Sequence, residues 1–310
     1  IFVEAMTMDF RELKKFLNSL KKEYDIPGFD CCIYYDHNYV FRHKAGVSSD
    51  ATRKKVSGKD LYFLHSAAKL VCCVAVMQLA ERYKIALDDC VSKYVDTFAD
   101  GVTVREFIKN YSGNLRNEDD CFNHENVKKL IESASGADFN DFIREHITAP
   151  LKMKSTTFEL NDENSGRIAM QYVYDKSKKE TLIRSESAKA VYDRNAGSLI
   201  TGVEDFVLFA ETLCAGGTSK KGYRLLSEFS VDVLINQLIY KETEKDDAYV
   251  SVGYHGSLVL IDIKKKITIV FAEHLKDIGA SQLEVYPKMR KLVYECIGVD
   301  TWSKGYNIFA

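Results

Sequence analysis

Residues Phe63–Val95 read FLHSAAKLVCCVAVMQLAERYKIALDDCVSKYV. The run carries Val71, Cys72, Val74, Ala75, Met77 and Leu79 with almost no polar interruption. A helix that is apolar nearly all round has to sit inside a core, so the spacing predicts a central helix over Ala67–Tyr83. At its mouth, Ser66-Ala67-Ala68-Lys69 has the form S-x-x-K. Residues three apart share a helix face, so a hydroxyl and an amine at these positions can meet. A serine at a helix start lies among backbone N–H groups with no intrahelical acceptor, in a positive field that favours a developing oxyanion. A lysine shut in a cleft gives up its proton more readily, because burial disfavours the ammonium form, and can then activate the serine. Ser66 is therefore the candidate nucleophile and Lys69 the candidate base. The pattern alone is not specific. It recurs at Ser19–Lys22, inside an amphipathic helix marked by Phe10, Leu13, Phe16, Leu17 and Leu20. What separates the two is context: Ser66 follows the apolar segment Leu61–Leu64 and opens a long helix whose body is apolar.

Outward from this helix the pattern changes. Phe29–Tyr35 and Tyr39–Val47 read as strands joined by the polar turn Asp36-His37-Asn38. Near the other end, Ser257–Ile263 and Ile267–Ala272 read as two β-branched strands around Lys264-Lys265-Lys266, before a helix over Ser281–Cys296. Between them the chain is mostly helix and loop, with helices over Thr103–Tyr111, Val127–Ser135, Asn140–His146 and Val203–Ala215. The expected class is α/β (an α+β sandwich): an antiparallel sheet built from both chain ends, with a helical lobe inserted. The chain is expected to form one domain over 1–310, with an α/β lobe at about 1–60 and 239–310 and a helical lobe at about 61–238. A cleft between two such lobes is where a site is expected.

Composition excludes several classes. The 310 residues carry 43 Lys and Arg against 45 Asp and Glu, a net charge of −2, with the signs interspersed, so no nucleic-acid partner is expected. No stretch reaches the ~20 apolar residues of a membrane span. The eight cysteines form no CxxC pair and no Cys/His ligand spacing, so neither a metal nor another cofactor is expected. A thiol enzyme is disfavoured because Cys72 and Cys73 lie inside the apolar helix, where a thiolate is costly. So many cysteines favour a reducing, cytoplasmic compartment, and no signal peptide is visible. The first residue is Ile1 rather than Met, which leaves export open.

The Phe63–Val95 stretch resembles the nucleophile helix of the class C β-lactamase and D-alanyl-D-alanine carboxypeptidase family, the penicillin-binding-protein-like serine hydrolases. Lys84–Asp89 stands where that family has a turn and a Leu-Asp-Asp segment. GVTVREFIKNYSGNL (101–115), LIESASGADFNDFIREHITAPLKMKSTTF (130–158), NAGSLITGVEDFVLFAETLCAGG (195–217), GYRLLS (222–227) and GSLVLIDIKKKITIVF (256–271) follow in the family's order. The resemblance runs from about Pro27 to Ala272. It implies the serine β-lactamase fold and an acyl-enzyme route on an amide or ester: a β-lactam, a D-alanyl peptide or a small ester, so that the partner is a small-molecule or peptide substrate. The oligomeric state is not given by the sequence.

Two departures bear on the site. The family's Tyr-x-Asn motif has as its nearest match Cys121-Phe122-Asn123, with cysteine at the tyrosine position; Asn123 is the candidate for the asparagine role, against a plain polar turn. Tyr111, Tyr192 and Tyr254 are substitutes for the absent tyrosine, each also readable as a packed core residue. The family's Lys/His-Thr/Ser-Gly motif has His255-Gly256 as its best match, with Tyr249–Gly253 as the other register. The resemblance thus implies Ser66, Lys69, His255 and Asn123 as catalytic residues. It also leaves a second function open: a catalytically impaired binding protein on the same scaffold. His65 replaces the family's small residue before the serine, by packing or by a part in proton transfer.

Overall fold

The computed structural model describes residues 8–98, 100–113, 121–173, 187–194, 198–239, 248–253, 256–276 and 281–299. His255 and Tyr254 lie outside the described residues. In chain order the elements are α1 (Arg11–Tyr24), β1 (Gly28–Tyr35), β2 (Asn38–Ser49), β3 (Lys54–Lys55), β4 (Tyr62–Phe63), α2 (His65–Glu81), α3 (Val104–Ser112), α4 (His124–Ser135), α5 (Phe139–Ile143), α6 (Asp162–Ser165), β5 (Tyr172–Val173), α7 (Ala188–Arg194), β6 (Ile200–Thr201), α8 (Val203–Cys214), α9 (Glu228–Val233), β7 (Tyr249–Gly253), β8 (Ser257–Asp262), β9 (Ile267–Glu273), β10 (Leu275–Lys276) and α10 (Tyr286–Ile297).

The main sheet runs β3-β2-β1-β9-β8-β7, antiparallel at every pairing. Three strands come from the first 55 residues and three from residue 249 onward, so the two chain ends meet at β1 and β9. Strand parity then sorts the side chains. Cys31, Ile33, Leu258, Leu260, Ile269 and Phe271 face a core shared with α1 and α10. Their neighbours Cys32, Val259, Ile261, Val270 and Ala272 face the larger core that contains α2 and α8. Both faces are covered, which is why β8 and β9 are buried along their whole length instead of alternating with polar residues.

At the start of β1, Gly28 pairs with Gly46. Gly46 has φ +78°, and a Cβ there would lie 2.1 Å from the Pro27 carbonyl oxygen. Only glycine lets the two backbones approach so closely. Further along β1, the buried Asp30 carboxylate takes a fork of hydrogen bonds from Arg42, at 2.8 and 3.1 Å.

The helices follow their caps. Thr103 and Glu106 form a reciprocal capping box at α3. α4 begins at His124, three residues earlier than its apolar periodicity predicts, because Asn123 caps it. The predicted 140–146 helix is α5 followed by a π turn over Arg144–Thr148, and the predicted 281–296 helix is a π turn over Ser281–Val285 followed by α10. The short pairs β4–β6 and β5–β10 have no sequence prediction behind them.

Candidate active site

Three backbone constraints hold the start of α2. Strand β4 pairs with β6, Leu64 N donates to the Leu199 carbonyl at 3.0 Å, and Ala67 N turns back to Leu64 at 2.7 Å. Leu64 occupies the cap position and offers no side-chain acceptor. Ser66 sits in this first turn, half-buried, and its N–H belongs to the amides that have no intrahelical carbonyl to bond. The helix behind it is buried from Ala67 to Leu79 apart from Lys69, so Ser66 is held on a rigid support.

Lys69 is one turn on. Its Nζ donates to the Gly113 carbonyl at the end of α3, at 2.9 Å, and lies 5.8 Å from the centre of the Tyr111 ring. Burial holds the Lys69 amine below its ordinary value, and only the neighbouring Cys73 thiol opposes the shift. No carboxylate pairs with it among the described residues. The free-base form needed for proton abstraction is therefore easier to reach than in a fully solvated lysine.

Behind Lys69 lies a closed group of titratable side chains. The Tyr111 hydroxyl is 3.2 Å from His124 Nδ1, and Cys72 Sγ is 4.0 Å from the same nitrogen. His124 stacks on Phe158 and meets Phe139 edge-on, with ring centres 5.5 and 5.4 Å away. Burial lowers His124 to about 4 and pushes Cys72 up to about 12. Tyr111 is raised well above its ordinary value for the same reason. Near neutral pH all three are uncharged and serve as packing.

The structure brings some of the sequence-derived residues together and disperses others. Ser66 and Lys69 share one helical turn. Asn123 accepts a hydrogen bond from Asn126 N at 2.9 Å, as the cap of α4. Of the alternative tyrosines, Tyr111 directs its hydroxyl at His124, and Tyr192 donates to the Phe158 carbonyl at 2.7 Å. His65 Nδ1 is 3.1 Å from the buried Ser198 hydroxyl, and its ring stacks on Phe63, so it ties the helix start to the segment before β6. Tyr249–Gly253 forms the edge strand β7, which packs against α2. Sequence reasoning missed Gly113, Ser198 and His124. Gly113 acts through a backbone carbonyl, and the other two acquire their partners only through folding. Among the described residues no group of three or more His, Cys, Asp or Glu side chains could hold a metal ion, and no helix is long and apolar enough to cross a membrane.

The family model described as Beta-lactamase matches residues 13–277. The chain belongs to the beta-lactamase family. The matched segment takes in every strand of the main sheet and the whole of α2. Among curated proteins, Protein flp of Staphylococcus aureus (strain MW2) is 23% identical over 222 residues, covering 58% of this chain and 44% of that protein. The chain thus spans less than half the length of that curated relative. Among solved structures, the octameric penicillin-binding protein homologue from Pyrococcus abyssi aligns with a TM-score of 0.73 and 19% identity, over 94% of this chain and 78% of that one. A family VIII carboxylesterase aligns with a TM-score of 0.74 and 14% identity, over 93% and 97%. At these identities the two structures establish a shared fold.

Proposed function

We propose that this chain is a serine hydrolase that acts through an acyl-enzyme on an amide or ester, with Ser66 as nucleophile and Lys69 as base. The observation that carries the reading is the pairing of a serine in the uncapped first turn of α2 with a half-buried lysine, unopposed by any described carboxylate, one turn further in. Neutral Lys69 takes the Ser66 hydroxyl proton while Oγ forms a bond to the substrate carbonyl carbon. The Ser66 N–H stabilises the resulting oxyanion, together with an amide from the 253–257 segment. Collapse breaks the carbon–nitrogen or carbon–oxygen bond, and the Lys69 ammonium returns its proton to the leaving group. Water then gives a proton to neutral Lys69 as its oxygen bonds to the acyl carbon, and Lys69 passes that proton to Ser66 Oγ as the Oγ–carbon bond breaks and the acid is released. His255, which follows β7 in the chain, is the proposed polar partner of the substrate carboxylate or carbonyl. Asn123 has its side-chain carbonyl engaged in the cap of α4, so any part it takes falls to its amide nitrogen.

The families of the structural neighbours favour an ester, a β-lactam or a D-alanyl peptide as substrate, since one neighbour is a carboxylesterase and another a penicillin-binding protein homologue. One observation favours a second reading, a binding protein on this scaffold: the Lys69 amine is bonded to the Gly113 carbonyl. Intact-protein mass spectrometry after exposure to a fluorescent penicillin and to a fluorophosphonate separates the two. A single adduct on the wild type, absent from Ser66→Ala, is expected. A folded wild type that resists both reagents overturns the hydrolase and leaves the binding protein.

A further inference from the structure

A cavity of ≈ 370 Å³ lies between the β1–β2 turn, the second half of α8 and the hairpin Thr218–Arg224. None of its lining residues belongs to α2 or β7, so it is separate from the neighbourhood of Ser66. Its volume is within the range of small-molecule sites. The floor is apolar: Tyr34 from β1, Leu208 from α8, and Pro150-Leu151 from the loop after α5.

The rim is cationic. The hairpin closes through Ser219 N donating to the Tyr223 carbonyl at 2.8 Å and turns at Gly222, φ +82°, which leaves Lys220 and Lys221 exposed at the tip. Lys152 stands beside them with φ +62°, in the left-handed region that a lysine seldom adopts. Lys152, with Lys154 behind it, crowds Lys221 closely enough to lower its amine below the ordinary value. Among the described residues, Lys221 forms no ion pair with a carboxylate, and Lys220 donates to the Asn38 side-chain oxygen at 3.5 Å and feels the Glu211 carboxylate at longer range. The one acid in the wall is already engaged. Glu211 Oε1 is 2.7 Å from His37 Nδ1, and its Oε2 accepts from the Thr268 hydroxyl at 2.8 Å. Two amines, Lys220 and Lys221, thus line the mouth of an apolar pocket, and Lys152 lies close enough to add to the positive charge at Lys221.

We infer that this cavity binds an amphipathic monocarboxylate of the medium-chain fatty acid kind, with its carboxylate between Lys220 and Lys221 and its apolar body on Tyr34, Leu151 and Leu208. The anion relieves the repulsion among the amines, and the chain removes an apolar floor from water. Such binding is independent of the Ser66 chemistry and remains even if the chain proves not to be a hydrolase.

The test is isothermal titration of the full chain at pH 7 with octanoate, octan-1-ol and octylammonium. Octanoate is expected to bind, the alcohol to bind roughly tenfold more weakly and the ammonium not at all. The surface double variant Lys220→Glu/Lys221→Glu is expected to lose about tenfold in octanoate affinity, Leu208→Trp to abolish binding by filling the floor, and Ser66→Ala to bind as the wild type does. Absence of octanoate binding, equal affinity for octanoate and octanol, no effect of the charge reversal, or loss of binding in Ser66→Ala would each overturn the inference. The charge-reversed surface variant decides the matter even if Leu208→Trp does not fold.

Discussion

Replacing His124 by glutamine tests the half-buried polar group behind Lys69. In the folded chain this imidazole lies between Phe139 and Phe158 and titrates at about 4, against 6.5 for the free side chain. A depressed histidine value means that the folded state keeps the ring neutral while the unfolded chain takes up a proton. Stability is then unaffected above about pH 6.5 and falls as pH drops through the window down to about 4. At ~1.4 kcal/mol per tenfold, the gap amounts to about 3 kcal/mol lost through this one group by pH 4. A glutamine amide does not titrate, yet it can still meet the Tyr111 hydroxyl, so His124→Gln is expected to cost only ~1 kcal/mol at pH 7. Urea unfolding followed by far-ultraviolet circular dichroism at pH 7, 5.5 and 4 measures both numbers. The wild type should lose about 3 kcal/mol more than the variant between the first and last of these. His274, fully buried and likewise lowered, contributes equally to both chains and cancels. Parallel pH profiles for the two proteins would refute the reasoning, because His124 would then not be a ring that folding keeps neutral.

Three further outcomes follow from other parts of the molecule. Burial lowers Lys69, so the acylation rate of the wild type should rise with pH along a limb whose midpoint lies below 10.5; Lys69→Met should flatten that limb and slow acylation by at least ~10²-fold, as read by stopped-flow labelling. Gly46→Ala places a methyl 2.1 Å from the Pro27 carbonyl at a positive φ and should cost about 2–3 kcal/mol, lowering the thermal midpoint, whereas Gly136→Ala, which meets nothing within 4 Å, should cost about 1 kcal/mol from its φ of +74° alone. Of the eight cysteines Cys90 is exposed, and Cys31, Cys32, Cys72, Cys73 and Cys214 are buried; a thiol-reactive disulfide reagent should label Cys90 first and leave these five until denaturant is added.

The proposed chemistry rests on little more than one helical turn, and its surroundings explain how that turn is held. Leu64 and Leu199 join the start of α2 to β6 through backbone, and Ser198 meets His65 a residue away from Ser66. On the opposite face of the sheet, α1 and α10 cover β1 and β8–β9, which leaves α2 and α8 to fill the other core. The short β4–β6 pair is therefore a small element with a large consequence, because it sets where the helix begins.

Local rules made much of this legible from the amino-acid order. The unbroken apolar run after Ser66 demands a buried helix, and the S-x-x-K spacing puts Ser66 and Lys69 on one turn whatever surrounds them, because both depend on near neighbours along the chain. The β-branched runs at 257–263 and 267–272 likewise declare strands that both faces bury. Non-local pairing decided the rest. Asn123 reads equally as a motif residue or a turn until Asn126 N is seen to use its side chain as a cap. Tyr111 is a candidate proton carrier in sequence, but folding aims its hydroxyl at His124, 13 positions away. Gly113 bonds Lys69 across 44 positions through a carbonyl that every residue possesses. The lysines around Lys221 come from two segments far apart in the chain, each an ordinary surface run by itself. Helical periodicity and spacing are short-range and survive in a linear string, whereas hydrogen-bond partners, desolvation and charge crowding exist only once distant segments share a volume.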